Sequence, residues 1–506
     1  MSDTPSESEA PRRWAALFFI GLAQLMLVLD VTIVNIALPS TQADLDIGDG
    51  DRQWVITAYT LAFGGLLLLG GRIADLAGRR RSFVIALAGF AAASALGGAA
   101  PDFATLLTAR AAQGAFAALL APTALSLLTI SFTEAKERAA AFGVFGAIAA
   151  GGSAVGLVTG GALTEYLDWR WCLYVNVPIA AVAAAGWWVL PADTRVRRGS
   201  RIDVPGVLLS VSGLTAVVYA CSEAESEGWG SRLVTGLLVL GVVLLTAFVL
   251  YERTARHPLL PPRILTSRTR GSAYLAVALA MVGMFSMFLF LTYYMQVVKG
   301  YSAMRTGVAF LPMTAGVLAG AGGLATRLLP RVPPRALIAP GLLLGAAGTG
   351  WLATVEATTS YAAGVLPAQL VLGVGMGMVM APGMNYATHG ATDDDAGVAS
   401  ATVNTSQQIG GSIGTAILNT VAASTTAGYL ADRLPGAGEL REHAAPGTPV
   451  PPVVKDALVE GFGDAYAIAS AVLLAAAVAV AVLMNTPRPR GEQAAEGVRP
   501  ALAHVG

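Results

Sequence analysis

The sequence predicts an all-α integral membrane protein: two six-helix bundles with two further spans inserted between them. Composition is the first observation behind this. Of 506 residues, 55% are apolar and 13% charged, and the mean hydropathy is +0.63, a balance foreign to water-soluble enzymes. The second is that apolar runs of bilayer-crossing length recur fourteen times, parted by charged or Pro/Gly-rich punctuation. The third is an internal repeat. Arg110, Gly114 and Gly151-Gly152-Ser153 recur 259 positions later as Gln369, Gly373 and Gly410-Gly411-Ser412. Pro122 and Pro382 follow one residue out of register, and Gly71-Arg72-Ile73-Ala74-Asp75 has an eroded echo in Gly322-Gly323-Leu324-Ala325-Thr326. Two parallel halves of six spans give this pattern when spans seven and eight lie between them.

The span cores cover 14–38, 53–71, 82–99, 103–130, 139–163, 171–190, 205–222, 233–251, 272–296, 306–326, 336–354, 361–384, 397–424 and 464–484. The chain then divides into a tail 1–13, a bundle 14–190, an inserted pair with linkers 191–260, a bundle 261–486 and a tail 487–506. The longest outer loop, 425–463, is Pro-, Gly- and Ala-rich and reads as irregular. No small-residue cleavage site follows the first run, which is expected to be a retained span. An even number of spans puts both termini on one side. With the N-terminus cytoplasmic, 23 of the 32 Lys and Arg fall inside and 8 outside, with Arg110 within a span, so the positive-inside bias expects both ends in the cytoplasm.

Asp30 interrupts the first span. A carboxylate near the middle of a membrane helix costs roughly 2.5–3.5 kcal/mol on insertion scales, so it is expected to line a wet cavity or meet a cation, and a proton carrier is the functional role that fits. The bland alternative is packing against a polar group of a neighbouring helix. Span four carries Arg110, Gln113 and Gly114 along one face. A guanidinium keeps its proton in a protein and needs a carboxylate, carbonyl oxygens or water in a bilayer. Asp30 and Arg110 each lie about eight residues from the outer end of their spans, roughly 12 Å deep at 1.5 Å per residue. They can therefore meet, with Arg110 setting the proton affinity of Asp30, or forming a static pair that only orders the helices.

Span five places Gly152, Gly156 and Gly160 four apart, with Gly161 beside them, a spacing that lets helix backbones approach closely and suggests a thin seam between the halves. The stretch from Gly71 to Arg81, with Asp75, Gly78, Arg79 and Arg80, reads as a tight loop. Its acid is a helix cap or, with the basic cluster, a latch on the cytoplasmic side. Span nine is rich in Met and aromatic residues, Met284 and Phe288 among them, which form a permissive wall for varied ligands or simply face lipid and other helices. Together with Asn35, Tyr59, Gln113, Gln296, Asn404 and Gln408 they make up the candidate substrate cavity.

His257, His389, His443 and His504 all fall in expected loops, so no metal or haem ligand set is expected within the membrane. Cys172 and Cys221 have unrelated spacing and leave pairing open. Lys136, Lys299 and Lys455 each lack the preceding Gly of a phosphate-binding loop, which argues against nucleotide-driven transport. No cofactor, nucleotide or nucleic acid is expected as a partner.

Five stretches carry a resemblance. They are Leu29-Asp30-Val31-Thr32-Ile33-Val34-Asn35-Ile36-Ala37-Leu38-Pro39, Gly71 to Arg81, Arg110-Ala111-Ala112-Gln113-Gly114, Gln53 to Tyr59, and Trp169 to Pro178. Jointly, and over nearly the whole chain, they resemble the fourteen-span drug:proton antiporters of the major facilitator superfamily. The resemblance implies the major facilitator fold in the cell membrane and efflux of amphipathic compounds, antibiotics or secondary metabolites included, driven by inward proton flow. It further implies Asp30 as protonation site, Arg110 as its partner and the stretch around Asp75 as gate, in a monomer whose partners are protons, small molecules and the bilayer. Two departures stand out: Ser153 and Leu157 occupy places where the family's span-five motif has prolines, and span ten has no acid. Arg far outnumbers Lys and Ala and Gly abound, which suggests a high-GC bacterium. The alternatives are a proton-coupled transporter of one specific metabolite, and a membrane sensor or enzyme, which would need a soluble domain or an intramembrane cluster of catalytic groups.

Overall fold

A computed structural model of the protein describes residues 9–48, 51–132, 134–192, 203–224, 227–255, 258–260, 267–328, 331–388, 396–433 and 451–484. Among these, all regular structure is helical. The first half comprises α1 (Glu9–Asp44), α2 (Trp54–Ala77), α3 (Arg79–Gly98), α4 (Phe103–Ser131), α5 (Ala135–Tyr166), α6 (Trp171–Tyr174) and α7 (Asn176–Ala184). A hairpin of α8 (Val204–Glu223) and α9 (Arg232–Glu252) follows. The second half comprises α10 (Arg268–Tyr293), α11 (Ala303–Ala309), α12 (Leu311–Leu318), α13 (Thr326–Leu328), α14 (Arg335–Leu352), α15 (Leu366–Thr388), α16 (Ala396–Arg433) and α17 (Pro452–Leu483). Among the described residues, ten helical rods are long and apolar enough to cross a membrane by length and composition. The chain is a multi-span membrane protein.

Two expectations about loops are corrected. Residues 71–77 belong to α2 and α3 starts at Arg79, so the turn between them shrinks to Gly78. That residue has φ +94°, where a side chain would be strained, so glycine lets the chain reverse at once. The outer loop expected over 425–463 is helical to Arg433 and again from Pro452, while 434–450 lie outside the described residues. In the sixth span α6 passes into α7 through Val175, whose backbone keeps helical angles. Both cysteines are free and buried.

Within the first half α4 packs on α2 and α3, and α5 on α1; in the second, α15 packs on α14 and α12, and α16 on α10. The halves meet where α2 lies along α16 and α5 along α11. The hairpin closes that arrangement from the side, because α8 contacts both α2 and α16. On α9 the buried residues are Val234, Gly241, Phe248 and Glu252, while Val239, Val242, Val243 and Leu250 are exposed, the pattern of a rod facing lipid.

The apolar core is divided unevenly. We call the end where α1 finishes distal and the end where it starts proximal. Proximal side chains such as Ile20, Met26, Phe83, Phe90 and Phe132 form a core of the first half alone. Distal ones such as Ile33, Ile36, Leu106 and Trp169 join Phe290, Met313, Leu372 and Phe462 of the second half in one continuous cluster. The two halves are therefore fused at the distal end.

Candidate functional site

Asp102 starts α4: its Oδ1 accepts from the Thr105 amide at 2.8 Å, and that amide draws the exposed carboxyl below the ordinary carboxylate range. About two turns on, the helix presents Arg110 and Gln113, three apart and so on one face. Opposite stands Asp30 on α1, with no exposed surface. Arg110, 1% exposed, donates through Nη1 to Asp30 Oδ2 at 2.7 Å and to Gln113 Oε1 at 2.8 Å, and through Nε to the Val55 carbonyl of α2 at 2.9 Å. Its guanidinium carbon lies 4.5 Å from the centre of the Tyr59 ring, a cation–π contact. Gln113 Nε2 donates to Asp30 Oδ1 at 2.9 Å and to Ser94 Oγ at 2.7 Å, and Asn176 Nδ2 donates to Asp30 Oδ1 at 2.8 Å.

The carboxylate thus accepts three N–H donors from α4 and α7, and its charge is matched by one guanidinium. A buried ion pair survives desolvation only with such extra bonds, because two charges lose far more hydration than they recover by attraction alone. Among the described residues the amide carbonyl of Asn176 and the Tyr59 hydroxyl have no partner, which leaves the centre one unused acceptor and one unused hydroxyl.

Of the other candidate residues, Tyr59 and Gln113 belong to this centre. Asn35 is buried on α1, its Nδ2 donating to the Val31 carbonyl at 2.7 Å. Gln296 instead donates to the Ile36 carbonyl at 2.9 Å, at the distal seam. Phe288 packs 5.3 Å from Phe310 in the core of the second half. Met284, Asn404 and Gln408 are half-buried, Gln408 standing where Gly64 of α2 approaches α16.

The glycine run of span five divides its work. Gly152 faces Leu25 and Val28, Gly156 faces Thr32, and Gly160 lies 3.0 Å from Ile33 Cα, all on α1 within the same half, by the position a methyl would take. Only Gly161 meets the other half, at Ala303 and Met304. The expected seam between halves is therefore corrected: three of these glycines join α5 to α1. At the proximal end Gly71 is helical, Arg80 lies 3.9 Å over the Trp187 ring, and Arg72 donates to the Pro258 carbonyl at 3.1 Å. Arg79 is half-buried; the side chain of Asp75 lies outside the described residues.

At the distal end a second polar set joins the halves. Buried Arg52 donates to Asn419 Oδ1 at 3.1 Å and lies 4.1 Å over Tyr293, and Asn419 donates to Gln53 Oε1 at 2.8 Å. Tyr293 donates to Gln42 Oε1 at 2.5 Å, Thr60 and Ser412 share a bond of 2.6 Å, and the Met304 amide donates to Glu165 at 2.9 Å.

Sequence reasoning missed Asn176 and Ser94 as parts of the centre. Asn176 carried a signal, a lone amide in an otherwise apolar span; Ser94, one small hydroxyl in an Ala-rich helix, carried none.

The family description Major Facilitator Superfamily matches residues 20–415. The chain is 53% identical over 493 residues to the puromycin resistance protein pur8 of Streptomyces alboniger, covering 96% of this chain and 95% of that protein. It is 39% identical to the cephamycin export protein CmcT of Amycolatopsis lactamdurans, covering 85% and 89%. The tetracenomycin C resistance and export protein of Streptomyces glaucescens is 31% identical, with 97% and 95% covered. The fold is similar to that of a bacterial homologue of the human lysosomal transporter Spinster, solved inward-facing and unoccupied, with a TM-score of 0.67, 16% identity, and 94% and 97% coverage.

Proposed function

The chain belongs to the major facilitator superfamily of membrane transporters, and on that premise we propose that it exports amphipathic small organic compounds, antibiotics or secondary metabolites among them, in exchange for protons. It is a transporter and not an enzyme. The observation that carries the proton half is the Asp30 carboxylate, fully buried at mid-length of α1 with a guanidinium at 2.7 Å. Its relatives' names carry the export half.

Fourteen crossings and two six-helix halves account for the element order, with both termini on the proximal, cytoplasmic face. In that orientation the shared distal core and the Arg52–Asn419 set close the outer side. Protonation of Asp30 cancels its charge and weakens the bonds from Arg110, Gln113 and Asn176 that hold α1 to α4 and α7. Arg110 keeps the Val55 carbonyl, Gln113 and the Tyr59 ring, so its charge is not stranded. Movement of α1 reaches α5 through Gly156 and Gly160, and α11 through Gly161, which links the proton to the seam between halves. A proton entering down 100 mV supplies about 2.3 kcal/mol per charge, enough to sustain an outward gradient.

Purified protein in liposomes with an internal pH dye tests this. Addition of candidate compounds moves protons with the parent; Asp30→Asn abolishes that movement while the protein stays monodisperse on gel filtration. Proton movement by the variant at the parental rate overturns the assignment. Response to several unrelated compounds separates an efflux pump from a carrier of one metabolite.

A further inference from the structure

The inserted hairpin carries no motif legible in its sequence, yet its proximal base holds a pair of acids. Asp203 caps α8, its Oδ1 accepting from the Gly206 amide at 3.1 Å. Glu252 ends α9, and its Oε2 accepts from the Leu260 amide at 2.9 Å, which ties the hairpin to the linker ahead of the second half. Both side chains are buried, 7% and 3% exposed, and they lie within hydrogen-bonding reach of each other. Their remaining oxygens, Asp203 Oδ2 and Glu252 Oε1, have no donor among the described residues. Both oxygens face one spot, 2.6 and 2.8 Å from where a Cβ on Gly206 would stand.

Among the described residues, no lysine or arginine is paired with either acid, and the Tyr251 hydroxyl beside Asp203 is the one other titratable group in contact. On α2, Arg72 is bonded to the Pro258 carbonyl, and Asp75 lies outside the described side chains. Pro258, Leu259 and Leu260 of the linker carry no charge, nor does the proximal half of α16. Carboxylates only accept hydrogen bonds, so two of them facing each other out of water require a proton between them.

We propose that Asp203 and Glu252 hold one proton in common, a proton-binding site separate from Asp30, and that this proton fastens the base of the inserted hairpin to the linker entering the second half. Loss of the proton sets two negative charges side by side, and the hairpin base and the linker part. Arg72 of α2 grips the linker at Pro258, and α2 meets α16 across the seam. The hairpin is thus a strap whose hold on the two halves depends on proximal pH, and this gives spans seven and eight a task.

Infrared spectra of the purified full-length chain read the pair directly, because a protonated carboxyl group has a C=O stretch that a carboxylate lacks. The parent is expected to show a protonated-carboxyl band that disappears as pH rises. Asp30→Asn keeps that band. Glu252→Gln and Asp203→Asn lose it, since each supplies an amide N–H in place of the shared proton and preserves the shape of the site. A band that persists in both variants, or that the parent lacks at every pH where it is folded, overturns the shared proton. The parent's thermal midpoint falls over the pH range in which the band titrates, whereas that of Glu252→Gln does not; equal slopes overturn the fastening role. Because the band is scored in the Asp30→Asn background, failure of the transport assignment and failure of this one are seen separately.

Discussion

Helices α4 and α15 occupy matching places in the two halves, and the sharpest contrast between them is at one matched position, Arg110 against Gln369. Gly114 of α4 lies against the Tyr59 carbonyl of α2, and Gly373 of α15 lies against the Met313 carbonyl of α12, each so close that a methyl could not fit. Four residues earlier the chemistry diverges. Arg110 has bonds to Asp30, Gln113 and Val55, whereas its counterpart Gln369 is equally buried with neither amide atom partnered. The close backbone contact is present in both halves, where it joins helices of the bundle; the buried charge is present in one. An unpaired buried amide costs about 1–3 kcal/mol, so the second half carries a defect in the place where the first carries a fully bonded guanidinium.

Paired substitutions at these positions give the largest expected effect. Arg110→Ala strands the Asp30 carboxylate and destabilises the protein by about 3–5 kcal/mol, while Gln369→Leu is neutral or stabilises by about 1 kcal/mol. Thermal unfolding in detergent measures both, and a Gln369→Leu as damaging as Arg110→Ala would erase the asymmetry. Gly114→Ala and Gly373→Ala follow, each costing about 1–3 kcal/mol through overpacking and by similar amounts if the repeat is real. Gly151→Ala, with nothing within 4 Å of the new methyl, is the control and stays within about 0.5 kcal/mol. Asn419→Ala removes the acceptor of Arg52 and the donor to Gln53, weakening distal closure by about 1–2 kcal/mol. Spin-label distances across the distal face should lengthen, and unchanged distances would deny that set any part in closure. The smallest effect belongs to Thr420→Val, which loses a 2.8 Å bond to the Cys221 carbonyl of α8 and costs about 0.5–1.5 kcal/mol without altering proton coupling at Asp30.

Charge made Asp30 and Arg110 visible before any fold was known. An ionised group in hydrocarbon is expensive wherever it sits, so it announces a partner, and equal depth in two spans was enough to pair them. Asn176 and Ser94 were harder to see, since a neutral amide or hydroxyl can bond to its own helix at little cost; the lone amide gives a weak signal in its apolar span and the hydroxyl gives none. Gln296 and Phe288 look like pocket residues in the chain and are instead a distal tie and a core ring. The turn after α2 was misjudged for a similar reason: Gly71 and Gly78 are the same residue type, and only the backbone reversal at Gly78 uses what glycine permits.

By itself the amino-acid order determined where the chain enters hydrocarbon, that it repeats, and which two charges lie at one depth, because hydrophobicity and the penalty for burying charge act residue by residue. Only the three-dimensional packing decided that the glycines of α5 serve α1 before they serve the other half, that the distal end is the fused one, and that the inserted hairpin lies along α2 and α16 with two acids at its base. Those outcomes depend on which helix faces meet, and an apolar face does not name its neighbour until the whole bundle has closed around it.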